Sequence, residues 1–353
     1  MDRVLVNQAW LSTSWNTSVE AHARPTSDHC PLILKVVSQP AVVSKPFRFQ
    51  HFWVHRLDFL ELVRASWCLP VAYHGPYGFA WKLKRLKGVL RDWNRNVIGN
   101  IFHNMSKAEG ELRALEARFD ASGDNSDLIL LNAHQAHYLC ALADEEAYWK
   151  QSARTRWLQD GDRNTKFFHA STVERRARLF ISRIKNDADE WLTEQDSIRD
   201  QATIYFQYLL IVDGSLLTEA MVDSFLQHIP SLVKEGDNLE LLAPVTLNEV
   251  RNAVFALDPD SSPGVDGFFG TFYRSCWDII SDDLLMAVKE FFMGIPIPRV
   301  ISSTQIILLP KKDNPNSFAD FRPISLCTFL YKIFTRIICD RLGPLLLKLI
   351  SPK

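Results

Sequence analysis

The segment from Ser303 to Leu342 constrains the fold of this 353-residue chain more than any other part of the sequence. Its first seven residues are mostly β-branched or aliphatic, which predicts a strand that ends at Pro310. Two lysines and a polar turn follow, and residues 321–324 predict a returning strand. From Thr328 to Leu342 apolar side chains recur at helical spacing, which predicts a helix with one buried face. A basic turn between two strands can direct cations at a phosphate group.

Helical periodicity dominates most of the remaining chain. Apolar residues spaced three or four apart predict two long helices, at 79–119 and 128–159, and the polar turn between them predicts an antiparallel helical hairpin. Shorter helices are predicted at 57–65, 197–210, 216–229, 247–257, 268–280 and 284–292, with a loop at 230–244. Gly343 and Pro344 predict the end of the last helix. Strands are predicted at 3–6 and 32–37, and a small hairpin at 181–193. The predicted fold class is α+β, predominantly helical.

The charge of the whole chain excludes a uniformly basic nucleic-acid binder, because 40 Lys and Arg face 41 Asp and Glu. Residues 150–185, which we call the basic segment, instead carry ten Lys and Arg and three acidic residues. Cations interleaved with aromatic residues favour contact with phosphates and bases. The candidate contacts are Arg154, Arg156, Arg163, Lys166, Arg175, Arg176 and Arg178. The alternative is that Trp157, Phe167 and Phe168 anchor the segment in a core, which leaves a solvated charged face.

Cysteine spacing and hydropathy exclude several other classes. The six cysteines include no Cys-x-x-Cys pair and no Cys/His cluster, which argues against a zinc site and a disulfide framework. The N-terminus lacks the pattern of a signal peptide, and the longest apolar run, residues 204–212, is too short to cross a bilayer. We therefore expect an intracellular protein, in the nucleus or the cytoplasm, without a membrane partner.

Four sequence blocks in the last ninety residues carry a family resemblance. They are Ser262-Pro263-Gly264-x-Asp266-Gly267-Phe268, Trp277-Asp278-Ile279-Ile280, Ile307-x-Leu309-Pro310-Lys311 and Phe321-Arg322-Pro323-Ile324-Ser325-Leu326. In this order they resemble the start of the reverse transcriptase domain of LINE-type (non-LTR) retrotransposons, of the sort found in plants. Residues 157–169 resemble a block of the same family. Residues 27–32 resemble the C-terminal end of the endonuclease/exonuclease/phosphatase fold.

The resemblance implies four parts for the chain. Residues 1–40 would be a remnant β-hairpin of the nuclease fold, and 41–195 a basic helical connector that contains the long hairpin. Residues 196–245 would be a helical segment before the polymerase, and 246–353 an incomplete fingers region of the reverse transcriptase. The family's catalytic activity is RNA-directed DNA synthesis with two Mg²⁺ held by aspartates of the palm, which this sequence does not reach.

The resemblance also implies roles for individual residues. His29 would be the general base of the nuclease, with Asp28 holding the metal–water shell and Asp2 orienting the imidazole. Lys311 and Arg322 would contact the triphosphate of an incoming nucleotide, and Lys312 could share that role. The alternative is that Arg322 pairs with a carboxylate such as Asp320 and that Lys311 is solvated. Gly264 and Gly267 could either admit a nucleic-acid strand or serve only tight turns.

The expected function follows from these matches. We expect a reverse transcriptase relative without catalytic activity as given, which binds no metal and retains contact with RNA and DNA, with nucleotides as its small ligands. A part of a longer enzyme, a non-enzymatic RNA- or DNA-binding helical module, and a relic without a selected role are the alternatives.

Overall fold

A computed structural model describes residues 4–7, 10, 15–21, 29–38, 46–153, 165–211, 219–227 and 232–350. In chain order its helices are α1 (Phe59–Trp67), α2 (Gly75–Trp93), α3 (Ile101–Ser122), α4 (Asn125–Ala153), α5 (Thr165–Leu179), α6 (Gln195–Leu210), α7 (Glu219–Leu226), α8 (Glu235–Leu241), α9 (Leu247–Ala256), α10 (Gly270–Ser275), α11 (Trp277–Phe292), α12 (Arg299–Ser302) and α13 (Phe329–Leu349). The strands are β1 (Trp15–Ala21), β2 (Leu32–Ser38), β3 (Ile184–Lys185), β4 (Trp191–Leu192), β5 (Gln305–Pro310) and β6 (Phe321–Leu326).

The described residues are mostly helical and form three two-stranded antiparallel sheets, in agreement with the predicted α+β class. They fall into two units. The first unit comprises residues 1–46, 50–52 and 93–180, and the second comprises 47–49, 53–92 and 181–353. The predicted connector, 41–195, is therefore shared between the two units. Within the described residues, no helix is both long and apolar enough to cross a membrane.

In the first unit, α3 and α4 pack as an antiparallel pair. Phe102 near the start of α3 contacts Trp149 near the end of α4, with 5.5 Å between ring centroids. At the other end, Arg118 forms an ion pair of 2.6 Å with the buried Asp127. Gly123 joins the helices in the left-handed conformation, with φ of 61°, which favours glycine.

The helical hairpin begins later than the sequence predicts. The predicted helix 79–119 is wrong as a single element: α2 ends at Trp93, a π-helical turn follows at Asn94–Ile98, and α3 starts at Ile101. Gly99 interrupts the helix with φ of 73°. The side chain of Asn100 then caps α3 by accepting the backbone N–H of Phe102 at 3.0 Å. All of α2 except its last residue, Trp93, belongs to the second unit.

The N-terminal sheet also differs from the prediction. Residues 4–7 have no regular structure, so the predicted strand at 3–6 is wrong for the residues described there. The partner of β2 is instead β1, with Trp15 opposite Ser38 and Ala21 opposite Leu32. Thr17 and Val19 are β-branched and alternate with polar residues, a pattern that suits a strand.

The second unit has an aromatic core. Phe49, Phe268 and Phe272 are buried together, with ring centroids of Phe268 and Phe272 4.7 Å apart. Tyr273 and Phe329 extend the core to α13 at 4.8 Å. The core therefore joins residue 49 to elements more than two hundred residues later in the chain.

Three further boundaries in this unit differ from the sequence prediction. The predicted loop at 230–244 contains α8, and α11 is continuous through 277–292 because the break falls at Cys276. The break predicted at Pro344 is also wrong, since α13 continues to Leu349. Ion pairs hold α13 on both sides of the proline: Arg341 with Glu249 at 2.7 Å and Lys348 with Asp237 at 2.6 Å. Their contacts compensate for the backbone donor that proline lacks.

Candidate nucleic-acid interface

The turn between β5 and β6 is built around the carboxylate of Asp320. One oxygen accepts the backbone N–H groups of Asn316 at 2.9 Å and Ser317 at 3.1 Å. The other oxygen pairs with Lys312 Nζ at 2.9 Å. The backbone hydrogen bond from Asn316, followed by the Lys312 contact, holds the pKa of Asp320 well below its usual range. Asp320 therefore organises the turn as an anion.

Neighbouring elements of the second unit stabilise this turn by apolar packing and by a backbone hydrogen bond. Phe318 and Phe321 are buried against Ile184, Ile198 and Phe206. The N–H of Lys185, in β3, donates to the carbonyl of Asn316 at 2.8 Å. The turn is therefore packed on one side by a small apolar core of its own.

The structure places Lys311, Lys312 and Arg322 around this turn. Arg322 lies opposite Leu309 in the β5–β6 register, and Lys311 donates its backbone N–H to the carbonyl of Asp320 at 2.8 Å. Lys311 Nζ donates to the carbonyl of Ala319 at 2.7 Å. The partner of Asp320 is Lys312, and no ion pair joins Arg322 to any described carboxylate. Arg322 and Lys311 are exposed, so both remain accessible to an anion.

In the first unit, α5 carries the described part of the basic segment. Arg175, Arg176 and Arg178 are exposed on this helix, and Arg178 pairs with Glu174 at 2.8 Å. Phe168 is buried, as the anchoring alternative expects of that residue. Lys166 lies in the first turn of α5. Arg154, Arg156, Arg163 and Trp157 lie outside the described residues.

The basic segment ends in the second unit, at the β3–β4 hairpin. Ile184 pairs with Leu192 and Lys185 with Trp191, as the predicted hairpin at 181–193 requires. The guanidinium of Arg183 lies 4.5 Å from the centroid of the Trp191 ring. Lys185 Nζ pairs with Asp189 at 2.6 Å, so this lysine is partly neutralised.

The nuclease-like residues are only partly described. His29 is exposed and lies three residues before β2 begins at Leu32. Asp2 and Asp28 lie outside the described residues, so their geometry with His29 stays a prediction. In the described ranges, no three His, Cys, Asp or Glu side chains converge as metal ligands would.

The glycines of the Ser262–Phe268 turn serve close packing. A Cβ on Gly264 would lie 2.4 Å from the backbone N of Thr328. A Cβ on Gly267, where φ is 81°, would lie 2.1 Å from the carbonyl oxygen of Phe47. The chain's own backbone therefore fills the space that a nucleic-acid strand would need beside these two residues.

Asp266, in the same turn, is electrostatically unusual. Burial raises the pKa of its carboxyl to about 6, against the opposing effects of the backbone N–H of Phe268 and the charge of Lys87. Burial is also the main cause of the raised pKa of Tyr273, and the charge of Asp266 adds to it. In the sequence, Asp266 is recognisable only as part of the Ser262–Phe268 block.

Sequence reasoning missed the organising role of Asp320. Ser317 and Asp320 have the spacing of a capping box, and the structure forms one at the short 3₁₀ turn Phe318–Asp320. That spacing was the available signal. The segment resembles an irregular polar turn rather than the start of a helix, so its capping spacing is not conspicuous.

Fold and site together define a mostly helical α+β protein with a cation-bearing β-hairpin and an arginine-rich helix. No family model matches the chain. The chain is similar to a protein of Xenopus laevis described as "Transposon TX1 uncharacterized 149 kDa protein", at 25% identity over 365 aligned residues. The alignment covers 100% of this chain and 27% of the transposon protein. This similarity supports a transposon origin for the chain.

Proposed function

We propose that the chain derives from the polyprotein of a LINE-type, plant-like non-LTR retrotransposon and binds RNA and DNA. In this proposal it spans the end of the nuclease, the helical connector and the start of the reverse transcriptase fingers. Similarity along the whole chain to a transposon protein is the observation that carries the proposal. The sequence blocks from Ser262 to Leu326 supply the reverse transcriptase part of it.

Two groups of exposed cations support nucleic-acid binding. Arg175 and Arg176 have no ion pair with a described carboxylate, and the exposed Lys311 and Arg322 lie at a turn that its own core holds in place. Because the backbone that carries these cations is already ordered, phosphate binding does not have to order it. The proposed location is the cell interior, in the nucleus or the cytoplasm, where RNA and DNA are found.

We further propose that the chain as given binds without incorporating nucleotides. The family's chemistry needs carboxylates that hold two Mg²⁺ ions beside the triphosphate. Asp320, the carboxylate of the β5–β6 turn, already accepts two backbone N–H groups and the Lys312 ammonium. The described residues therefore do not fit two Mg²⁺ at this turn.

Fluorescence anisotropy of labelled 20-nucleotide RNA and DNA across a salt series tests binding. The plot of log K against log[salt] should be steep for the wild-type chain. It should become shallower by about 1.4 in an Arg175→Gln, Arg176→Gln double variant, at about 0.7 for each phosphate contact on a single strand. Arg113→Gln is the matched control, because Arg113 is an exposed helical arginine that already pairs with Glu109. A wild-type slope near zero would contradict phosphate binding.

A primer-extension assay tests the second proposal. With an annealed RNA template, DNA primer, deoxynucleotides and Mg²⁺, we expect no extended product from the full chain. A Lys311→Gln, Arg322→Gln double variant should weaken nucleotide binding, measured by equilibrium dialysis with a labelled triphosphate. Extension of the primer above a no-enzyme control would overturn the proposed inactivity, and unchanged dialysis would remove the role of the two cations.

A further inference from the structure

One face of α2 carries aromatic side chains in its first half and cations in its second. Tyr77, Trp81, Lys84 and Arg91 follow at intervals of four, three and seven residues, which places them in one row along the helix. Lys87 borders the row, three residues after Lys84. We call these five side chains the α2 row.

Both aromatic side chains of the α2 row are exposed, and Trp81 is already stacked. Tyr77 is 41% exposed and Trp81 is 46% exposed. Tyr73, in the loop before α2, stacks on Trp81 with 5.8 Å between centroids and 13° between ring planes. Tyr73 itself is 50% exposed, so the pair is an open two-ring stack that a further flat ring can extend.

The cationic half of the row lacks acidic partners. Lys84 Nζ lies 4.8 Å from the ring centroid of Trp81, and Lys87 and Arg91 lie 5.4 Å and 5.6 Å from that of Phe47. No ion pair joins these three to a carboxylate among the residues that the structure describes. Asp266 acts on Lys87 only through its charge.

The other cations of α2 behave differently. Lys82 pairs with Asp283 at 2.6 Å, and Arg85 donates to the carbonyls of Ser66 at 2.7 Å and Leu69 at 2.8 Å. These two side chains hold α2 to its neighbours within the second unit. Two cations of α2 therefore stabilise the fold through ion pairs or hydrogen bonds. The three cations of the α2 row make no such contact with a described carboxylate.

The centre of the row is open. Gly88 is exposed, and a Cβ built on it would meet no atom within 4 Å. The positive charges of Lys84, Lys87 and Arg91 lie within about 10 Å along the helix axis, at 1.5 Å per residue. Burial is the main cause of the lowered pKa of Lys87, and the nearby charge of Arg91 adds to it. An anionic ligand would relieve this repulsion.

We propose that the α2 row, with Tyr73, is a binding surface for single-stranded nucleic acid. Bases stack on the Tyr73–Trp81 pair, and Lys84, Lys87 and Arg91 contact the phosphates. Stacking rings beside a cationic track are the combination by which proteins bind single strands without sequence preference. A duplex offers phosphates to the cations but no free base face to the rings. The surface goes beyond the proposed function, because none of its residues belongs to the basic segment or to the β5–β6 turn.

Gly88 supplies a matched pair of variants for the test. Gly88 is exposed and its Cβ position is open, so neither Gly88→Ala nor Gly88→Glu places its Cβ against another atom. Gly88→Ala should bind labelled 20-nucleotide poly(U) RNA as tightly as wild type, whereas Gly88→Glu places a negative charge among the three cations. In anisotropy titrations at 100 mM salt we expect about a fivefold or greater weakening for Gly88→Glu alone, with unchanged circular dichroism. Equal affinity of the two variants would overturn the proposal.

Two further variants separate phosphate contact from stacking. A Lys84→Gln, Lys87→Gln, Arg91→Gln triple variant should reduce the salt slope by about 2, at about 0.7 for each contact. Trp81→Ala should weaken binding to poly(U) by about tenfold and leave a 20-base-pair duplex unaffected. Arg251→Gln is the control, because Arg251 also lies over an exposed ring, Phe255, at 5.0 Å, but on α9. Equal losses on duplex and single strand would overturn the stacking role.

The comparison with α5 variants separates this surface from the proposed function. If the α5 arginine variants lose affinity and the α2 row variants do not, the surface is refuted and the proposed function stands. If the α2 row variants lose affinity and the α5 variants do not, the result supports the α2 surface and refutes phosphate contact by the arginines of α5. Competition by poly-glutamate as strong as by poly(U) would overturn the nucleic-acid ligand in favour of an acidic protein.

Discussion

Asp266→Asn should stabilise the second unit in a pH-dependent manner. Burial raises the pKa of the Asp266 carboxyl from 3.8 to about 6 in the folded chain. A carboxyl with a raised folded pKa contributes most stability below pH 3.8, and this contribution is lost as the pH rises through 6. Asparagine stays neutral, can still accept the backbone N–H of Phe268, and avoids that loss.

The expected size follows from the two pKa values. At 1.36 kcal/mol for each pKa unit, the full cost of ionising folded Asp266 is about 3 kcal/mol at pH 7.5 and about 1 kcal/mol at pH 4.5. We expect Asp266→Asn to gain ~1–3 kcal/mol at pH 7.5 and less than about 1 kcal/mol at pH 4.5.

Urea unfolding followed by far-UV circular dichroism at both pH values measures the gain. Asp320→Asn is the control of opposite sign, because a lowered pKa contributes stability above the usual carboxyl range that is lost as the pH falls. Asp320→Asn should therefore be most destabilising at pH 7.5. A difference between wild type and Asp266→Asn that stays constant from pH 4.5 to 7.5 would refute the reasoning.

Two further predictions concern stability. Gly110→Ala, inside α3 with open space for a Cβ, should stabilise the first unit by about 1 kcal/mol, whereas Gly123→Ala, at φ of 61°, should cost about 1 kcal/mol, both read from thermal unfolding. Arg341→Met should cost ~2–4 kcal/mol in urea, because it removes two hydrogen bonds to Glu249, at 2.7 and 2.9 Å, and leaves that carboxylate half-buried. The double variant with Glu249→Met should lose less than the single one, and equal losses would contradict a coupled pair.

The sequence predicted elements whose pattern is strong and local. β5, β6 and the start of α13 follow from β-branched runs and helical periodicity, and Thr246 caps α9 by accepting the N–H of Glu249 at 3.2 Å, as its spacing indicates. The break near Gly99 was missed because the apolar spacing continues across it. Helical periodicity does not show a positive φ at a single glycine.

Other failures came from contacts distant in sequence. α8 is a short, mostly polar helix whose Asp237 accepts both the N–H of Lys234 and the ammonium of Lys348. The site shows the same limit. Lys311, Lys312 and Arg322 were found as residue types, but the choice of Lys312 as the partner of Asp320 depends on the three-dimensional path of the turn.

Residues 47–49 have a consequence for how this chain can be divided. Phe49 is fully buried beside Phe272, and its N–H donates to the carbonyl of Gly267 at 2.9 Å. A polypeptide begun at residue 246, where the polymerase-like part would start, would lack this ring and expose its binding place to water. The smallest autonomous piece of the second unit must therefore carry residues that precede the long helices, so boundaries drawn from the sequence blocks would cut through a folding unit.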